Sequence, residues 1–152
     1  MNGHQQLKKF LGIVMLVCLV VGFSLYQNSA NKQQTSPPTD TSTDAQLAEL
    51  FHNQATGVQV SGSGTVSRIL ADDDDGSRHQ RFILELDSGQ TLLIAHNIDI
   101  APRLDGVQVG DRVSFYGEYA YSDQGGTIHW THHDPQGQHA AGWLEWKGQK
   151  YQ

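Results

Sequence analysis

The sequence predicts a mainly β fold, a small antiparallel barrel or sandwich of five to six strands with one short N-terminal helix, preceded by a transmembrane helix or signal segment. Three observations predict the β domain. Sixteen glycines among 152 residues favour many tight turns. Several runs alternate apolar and polar residues, the period of a half-buried strand. These runs recur at near-regular spacing with Gly, Asp and Ser between them, as in small barrels and sandwiches.

The elements follow in chain order. Lys8 and Lys9 precede an uncharged, mostly apolar run over residues 10–26. That length is at the bottom of the range for a membrane-spanning helix. Lysines before the run and few charges after it predict a cytoplasmic N-terminus and an exported C-terminal domain. An uncleaved anchor is preferred to a cleaved signal, because cleavage after Ala30 would need a small residue where Asn28 stands. Lipoprotein attachment at Cys18 is disfavoured by Val17 before it and by its place in mid-segment. Residues 27–43, QNSANKQQTSPPTDTST, are too polar to bury a core and read as a linker. The folded domain is expected over residues 44–152.

Thr43 and Gln46 resemble a capping box, and Leu47, Leu50 and Phe51 follow at helical spacing, predicting a helix over residues 44–54. After Gly57 a long first strand is expected, with Gly62 and Gly64 marking a bulge or bend. The DDDDGS run at residues 72–77 reads as a solvated hairpin tip. It fails as a calcium loop, because aligning Gly76 with the invariant glycine puts Ala71 and Phe82 at ligand positions. In the second strand, Gln80, Phe82, Leu84 and Leu86 share one face, and His79, Arg81, Ile83, Glu85 and Asp87 the other. QTLLIAHN, RVSFYGEYAY and TIHWTHHD supply three more strands, and Trp143 to Trp146 a last short one. Residues 98–109 connect the third and fourth strands without clear periodicity.

Composition narrows the function classes. The part of the chain after the apolar segment carries 8 basic and 16 acidic groups, a formal charge of −8, which disfavours nucleic acid as a partner. The only cysteine, Cys18, lies in the apolar segment, so the domain has neither a disulfide nor a thiol nucleophile. No dinucleotide, P-loop or nucleophile-elbow motif is present.

The pattern of SGSGTVSRIL, VQVGDRVSFYGEY and a closing fifth strand is similar to an OB-fold. Taken together, RHQRFILEL, LLIAHNIDIAP, GDRVSFYGEY, IHWTHHDP and HAAGW resemble a family of uncharacterised bacterial envelope proteins, a domain of unknown function, across residues 64–152. The resemblance implies an OB-like barrel, export and small size, and it carries no catalytic residues over. With the N-terminal segment it implies a single-pass protein of the bacterial inner membrane, its domain in the periplasm or outside the cell.

Six histidines fall in the domain strands and loops: His79, His96, His129, His132, His133 and His139. Alternation points His129 and His133 outward, and puts Ile128 and Trp130 in the core with His132 as a hydrogen-bonded packing residue beside it. His129 and His133 would stand about 13 Å apart at about 3.3 Å per residue, too far for one metal. A divalent metal such as zinc would instead need His133, Asp134 and His139. The spacing matches no zinc signature, and turn-fixing hydrogen bonds are the preferred reading.

His79, Arg81, His96, Glu118, His129 and Trp143 are the candidate ligand-binding residues. Two functions are expected from them. The first is a tethered binding module for a small ligand, glycan or envelope protein, attached through residues 10–26. The second is a metal-dependent hydrolase of phosphodiesterase or nuclease type using residues 129–139, with Arg81 as phosphate clamp. The absence of a catalytic motif favours the binding module over the enzyme.

Overall fold

The structure, a computed structural model, describes residues 40–152, with side chains from Thr43 onward. The apolar segment at residues 10–26 lies outside them, and so does most of the linker. Among the described residues no helix is long and apolar enough to cross a membrane.

The chain enters through a helix, α1 (Asp40–His52), which starts four residues earlier than the capping pattern suggests. Seven strands follow: β1 (Thr56–Ile69), β2 (His79–Glu85), β3 (Thr91–Asn97), β4 (Arg112–Ala120), β5 (Thr127–His129), β6 (Trp143–Trp146) and β7 (Gln149–Tyr151). The first five close a barrel in the order β1-β2-β3-β5-β4, with β4 returning to β1. The 14 residues of β1 serve both neighbours, Thr56 to Thr65 pairing β4 and Thr65 to Ile69 pairing β2.

The expected all-antiparallel barrel is corrected at one seam. β3 and β5 run parallel, Leu93 opposite Thr127 and Ile94 opposite Ile128. Directions cannot alternate all the way round a closed ring with an odd number of strands, so one parallel pairing is forced. The strand count is also higher than expected. β6 pairs β4 from Val113 to Tyr116, and β7 folds back on β6 through Lys147 and Gly148, both at positive φ.

Alternation places the core as read from sequence in β2, where Gln80, Phe82 and Leu84 are buried. Val60, Val66, Leu92, Ile94, Val113, Phe115, Tyr119, Ile128 and Leu144 complete the barrel interior. α1 closes one end. Its Leu47 is fully buried, the Asp44 carboxylate accepts the Ser88 N–H at 2.8 Å, and Phe51 packs on Tyr121 with ring centroids 5.6 Å apart. Gly62 makes no bulge. A Cβ there would lie 2.7 Å from Phe115 Cζ and 3.0 Å from Thr43 Cγ2, so its lack of a side chain lets the helix approach. The irregularities of β1 fall between Thr56 and Val58 and between Val66 and Arg68.

The aperiodic segment at residues 98–109 closes the other end. Its Leu104 is fully buried and is held by a two-way clamp: Leu104 N–H donates to Gln80 Oε1 at 2.9 Å, and Gln80 Nε2 donates to Leu104 O at 3.1 Å. Polar groups face inward here because the backbone of an irregular plug needs partners.

Candidate functional site

The outer face of β2, β3 and β5 carries two neighbouring grooves. Register fixes which side chains meet on it. Arg81 sits opposite Ala95, Ile83 opposite Leu93, and His79 opposite Asn97, while β5 adds Thr127 beside Leu93. Across β5, His129 stands opposite Glu118 of β4.

The first groove, of about 710 Å³, runs from the bulged end of β1 across this face to the β4–β5 turn. Arg68, Arg81, Ile83, Leu93, Gln124 and Thr127 line it. The bulge at Ser67 breaks the alternation of β1 and leaves Arg68 and Ile69 exposed. Arg81 is already engaged: its Nε donates to Ala71 O at 3.1 Å, and its Nη1 lies 3.6 Å from Asp73 Oδ2. Arg103 pairs with Asp72 in the same loop. The acidic tip is therefore braced by two arginines and by the backbone bridge between Asp73 and His79, and not only by solvent.

The second groove, of about 460 Å³, lies at the other end of the face. It is lined by His79, His129, Trp130, His132, Asp134 and His139, among others. Its floor depends on one backbone irregularity. Trp130 has φ of 55°, a left-handed conformation that costs a bulky residue roughly 1–3 kcal/mol and survives only where its surroundings over-determine it. This ends β5 after His129, where the sequence predicts a strand to residue 134. Trp130 moves out of the core position that alternation assigns it, and Thr131 takes that place, fully buried. The indole then joins a run of aromatic edges: His129 at 5.6 Å, His139 at 3.7 Å, and His132 a further 5.0 Å beyond His139.

The predicted residues divide among different places. His79, Arg81, Glu118 and His129 share the outer surface of the barrel. His96 does not; it is 0 % exposed inside the barrel. Its Nε2 lies 3.0 Å from Pro102 O and its Nδ1 2.8 Å from Thr131 Oγ1. A carbonyl only accepts, so Nε2 carries the proton and the Thr131 hydroxyl donates to Nδ1. Burial pushes the His96 pKa down to about 4, against the opposing hydrogen bond to Pro102 O. Trp143 lies on β6, away from both grooves, beside Tyr116 and with Lys150 Nζ 4.3 Å from its ring centroid. Trp146 is buried, its Nε1 donating to Asp111 Oδ2 at 3.1 Å.

His129 Nε2 lies 3.3 Å from Glu118 Oε1 without hydrogen-bond geometry. Burial holds the His129 pKa below its usual value although Glu118 pulls it upward. His133 is exposed, while Asp134 and His139 are drawn into a turn. Asp134 Oδ1 accepts the Gln136 N–H at 2.8 Å and Oδ2 the His139 N–H at 2.7 Å. Burial opposes ionisation there, but the backbone donors outweigh it and hold the carboxyl below its ordinary range. These contacts match the turn-fixing reading of the segment. Among the described residues no group of three or more His, Cys, Asp or Glu comes together to hold a metal ion.

Sequence reasoning missed Trp130 as a groove residue because alternation assigned it to the core; His132, expected as a hydrogen-bonded packing residue beside the core, is buried with its Nδ1 2.8 Å from His133 O and also borders the groove. No residue type advertises a positive φ at a tryptophan. It also missed Arg68 and Leu93, whose place follows from the bulge and from the parallel seam.

Residues 32–152 match the model of a protein family described as protein of unknown function (DUF3465), and the chain belongs to that family. No curated protein matches the chain.

Proposed function

We propose that this DUF3465 domain is a binding module of OB type that lays an extended, uncharged polar ligand of oligosaccharide class across the outer face of β2, β3 and β5. One observation carries the reading: two open grooves adjoin on the same three strands. The closure order β1-β2-β3-β5-β4 with one parallel seam supports the OB assignment. OB barrels take oligonucleotides and oligosaccharides on the face of their second and third strands and the flanking loops. The formal charge of −8 after the apolar segment disfavours a phosphate chain. Half-buried Ile83, Leu93 and Ala95 supply apolar contact between polar ends. Fold alone assigns no ligand, so the reading stands on the face and its chemistry.

The apolar run at residues 10–26 supports a tether that holds this module at the outer side of a bacterial inner membrane. Its ligands would then be envelope glycans.

Amide shift mapping of the full-length chain with chitohexaose and, separately, a thymidine dodecamer tests the binding reading. Shifts concentrated on β2, β3 and β5 with the saccharide are expected. Shifts confined to β6 and β7, or none with either probe, would overturn it.

A further inference from the structure

We infer that the histidine-lined groove is the seat for one neutral saccharide ring, whose hydroxyls donate to His132 and His139 while its apolar face lies against Trp130. The inference rests on the binding reading above and deepens it by assigning the chemistry at one end of the face.

Tautomers decide what the groove offers. His132 Nδ1 lies 2.8 Å from His133 O, and His139 Nδ1 lies 2.8 Å from Ala140 O. Backbone carbonyls only accept, so both Nδ1 atoms carry the proton, and in the neutral imidazole each Nε2 is an acceptor. Neither Nε2 has a hydrogen-bond partner among the described residues. The nearest anionic atom to His139 Nε2, Asp134 Oδ2, is 4.0 Å away. The seat therefore holds two orientated acceptors that the fold does not use.

Charge then selects among donors. Among the described residues no lysine or arginine lines the groove, which leaves an anion without a counter-charge. The single carboxylate, Asp134, has a side chain only 7 % exposed, and both its oxygens accept backbone N–H groups. An ammonium or guanidinium ligand thus finds no free negative charge. What remains is a neutral donor with several hydroxyls. Apolar surface stands beside the acceptors: the Trp130 ring, Pro135, and Ile100, which is 55 % exposed. A pyranose ring combines hydroxyls on its rim with a flat C–H face, and it fits both halves of this lining.

The seat is built in advance. Trp130 is set by its left-handed backbone, His139 by the Asp134 turn, and His132 by its own carbonyl bond, so little ordering accompanies binding.

Calorimetric titration of the full-length chain with chitotetraose tests the inference, alongside Trp130→Gly and His139→Phe. Glycine adopts the left-handed backbone freely, so Trp130→Gly removes the indole without adding strain. His139→Phe keeps a ring against Trp130 and deletes the acceptor. Affinity is expected to fall roughly three- to tenfold in His139→Phe, the size of one hydrogen bond, and at least as far in Trp130→Gly. Inorganic phosphate and putrescine should leave the amides of Trp130, His132 and His139 unmoved. Unchanged affinity in both variants, with saccharide shifts remaining on β2 and β3, would overturn the seat while the binding face stands. Phosphate or putrescine bound in the groove would overturn the neutral ligand. A saccharide that shifts nothing anywhere would overturn seat and face together.

Discussion

His96 shows at the scale of one residue how a candidate for chemistry becomes a structural part. Its ring satisfies Pro102 O and Thr131 in the barrel interior, and burial lowers its pKa to about 4. The unfolded chain takes up a proton near pH 6.5, whereas the folded chain resists until about pH 4. The unfolded state therefore binds more protons between these values, and stability falls as pH drops through that window. Between pH 7 and pH 4.5 the loss should be roughly 2–3 kcal/mol, read from urea midpoints. Glutamine can keep one donor and one acceptor at the same place without titrating. His96→Gln should flatten this part of the profile; an unaltered slope would mean that other groups set the acid sensitivity. Asp87 and Asp99, held low by Arg112 and Arg78 respectively, act with the same sign in a lower window. Their contribution is present above the usual carboxylate pKa and is lost as pH falls below it.

Strands with strict alternation were legible in the sequence, because burial on one face leaves a period of two. β2 is legible residue by residue, and β3 and β4 as strands. Elements whose cause is not periodic were not. β5 stops at His129 because of the backbone at Trp130, β7 is only three residues long, and the plug at residues 98–109 is held by two inward polar side chains rather than by a pattern. The outward cluster of His79, Arg81, Glu118 and His129 follows from the same alternation, which in β3 sets His96 opposite Gln80 on the inner face. Two substitutions test the aperiodic parts. Gln80→Leu keeps bulk but strips both bonds from buried Leu104, and should cost roughly 2–6 kcal/mol, since each orphaned backbone group costs about 1–3. Gly125 has φ of 112°, and a Cβ there would stand 2.0 Å from Thr91 O. Gly125→Ala should thus exceed about 3 kcal/mol and loosen the β4–β5 turn that supports the larger groove. Hydrogen exchange should quicken first at Thr127 to His129; protection unchanged there would show that the turn tolerates the methyl group.

At the scale of the molecule, the core and the tether are separable claims. Every core residue of the described chain lies between Leu47 and Tyr151, within the compact unit Pro38–Gln152. α1 belongs to that unit, since Leu47 is wholly buried and Asp44 holds the β2–β3 turn. A fragment of residues 38–152 should therefore unfold in one transition with the urea midpoint of the full chain. A fragment of residues 53–152 should lose at least about 3 kcal/mol, the cost typical of removing one large buried leucine. The proposed tether makes an independent demand. An uncharged run over residues 10–26 behind two lysines should carry the full chain into the membrane fraction and leave residues 38–152 in solution. Protease added outside the inner membrane should cut the linker at residues 27–39, ahead of α1, and release the intact barrel, because that stretch is rich in polar residues and the barrel closes its sheet on itself. A full chain that stays in solution, or a barrel released only after the inner membrane is broken, would separate the binding face from the envelope and return the choice of glycan to chemistry alone.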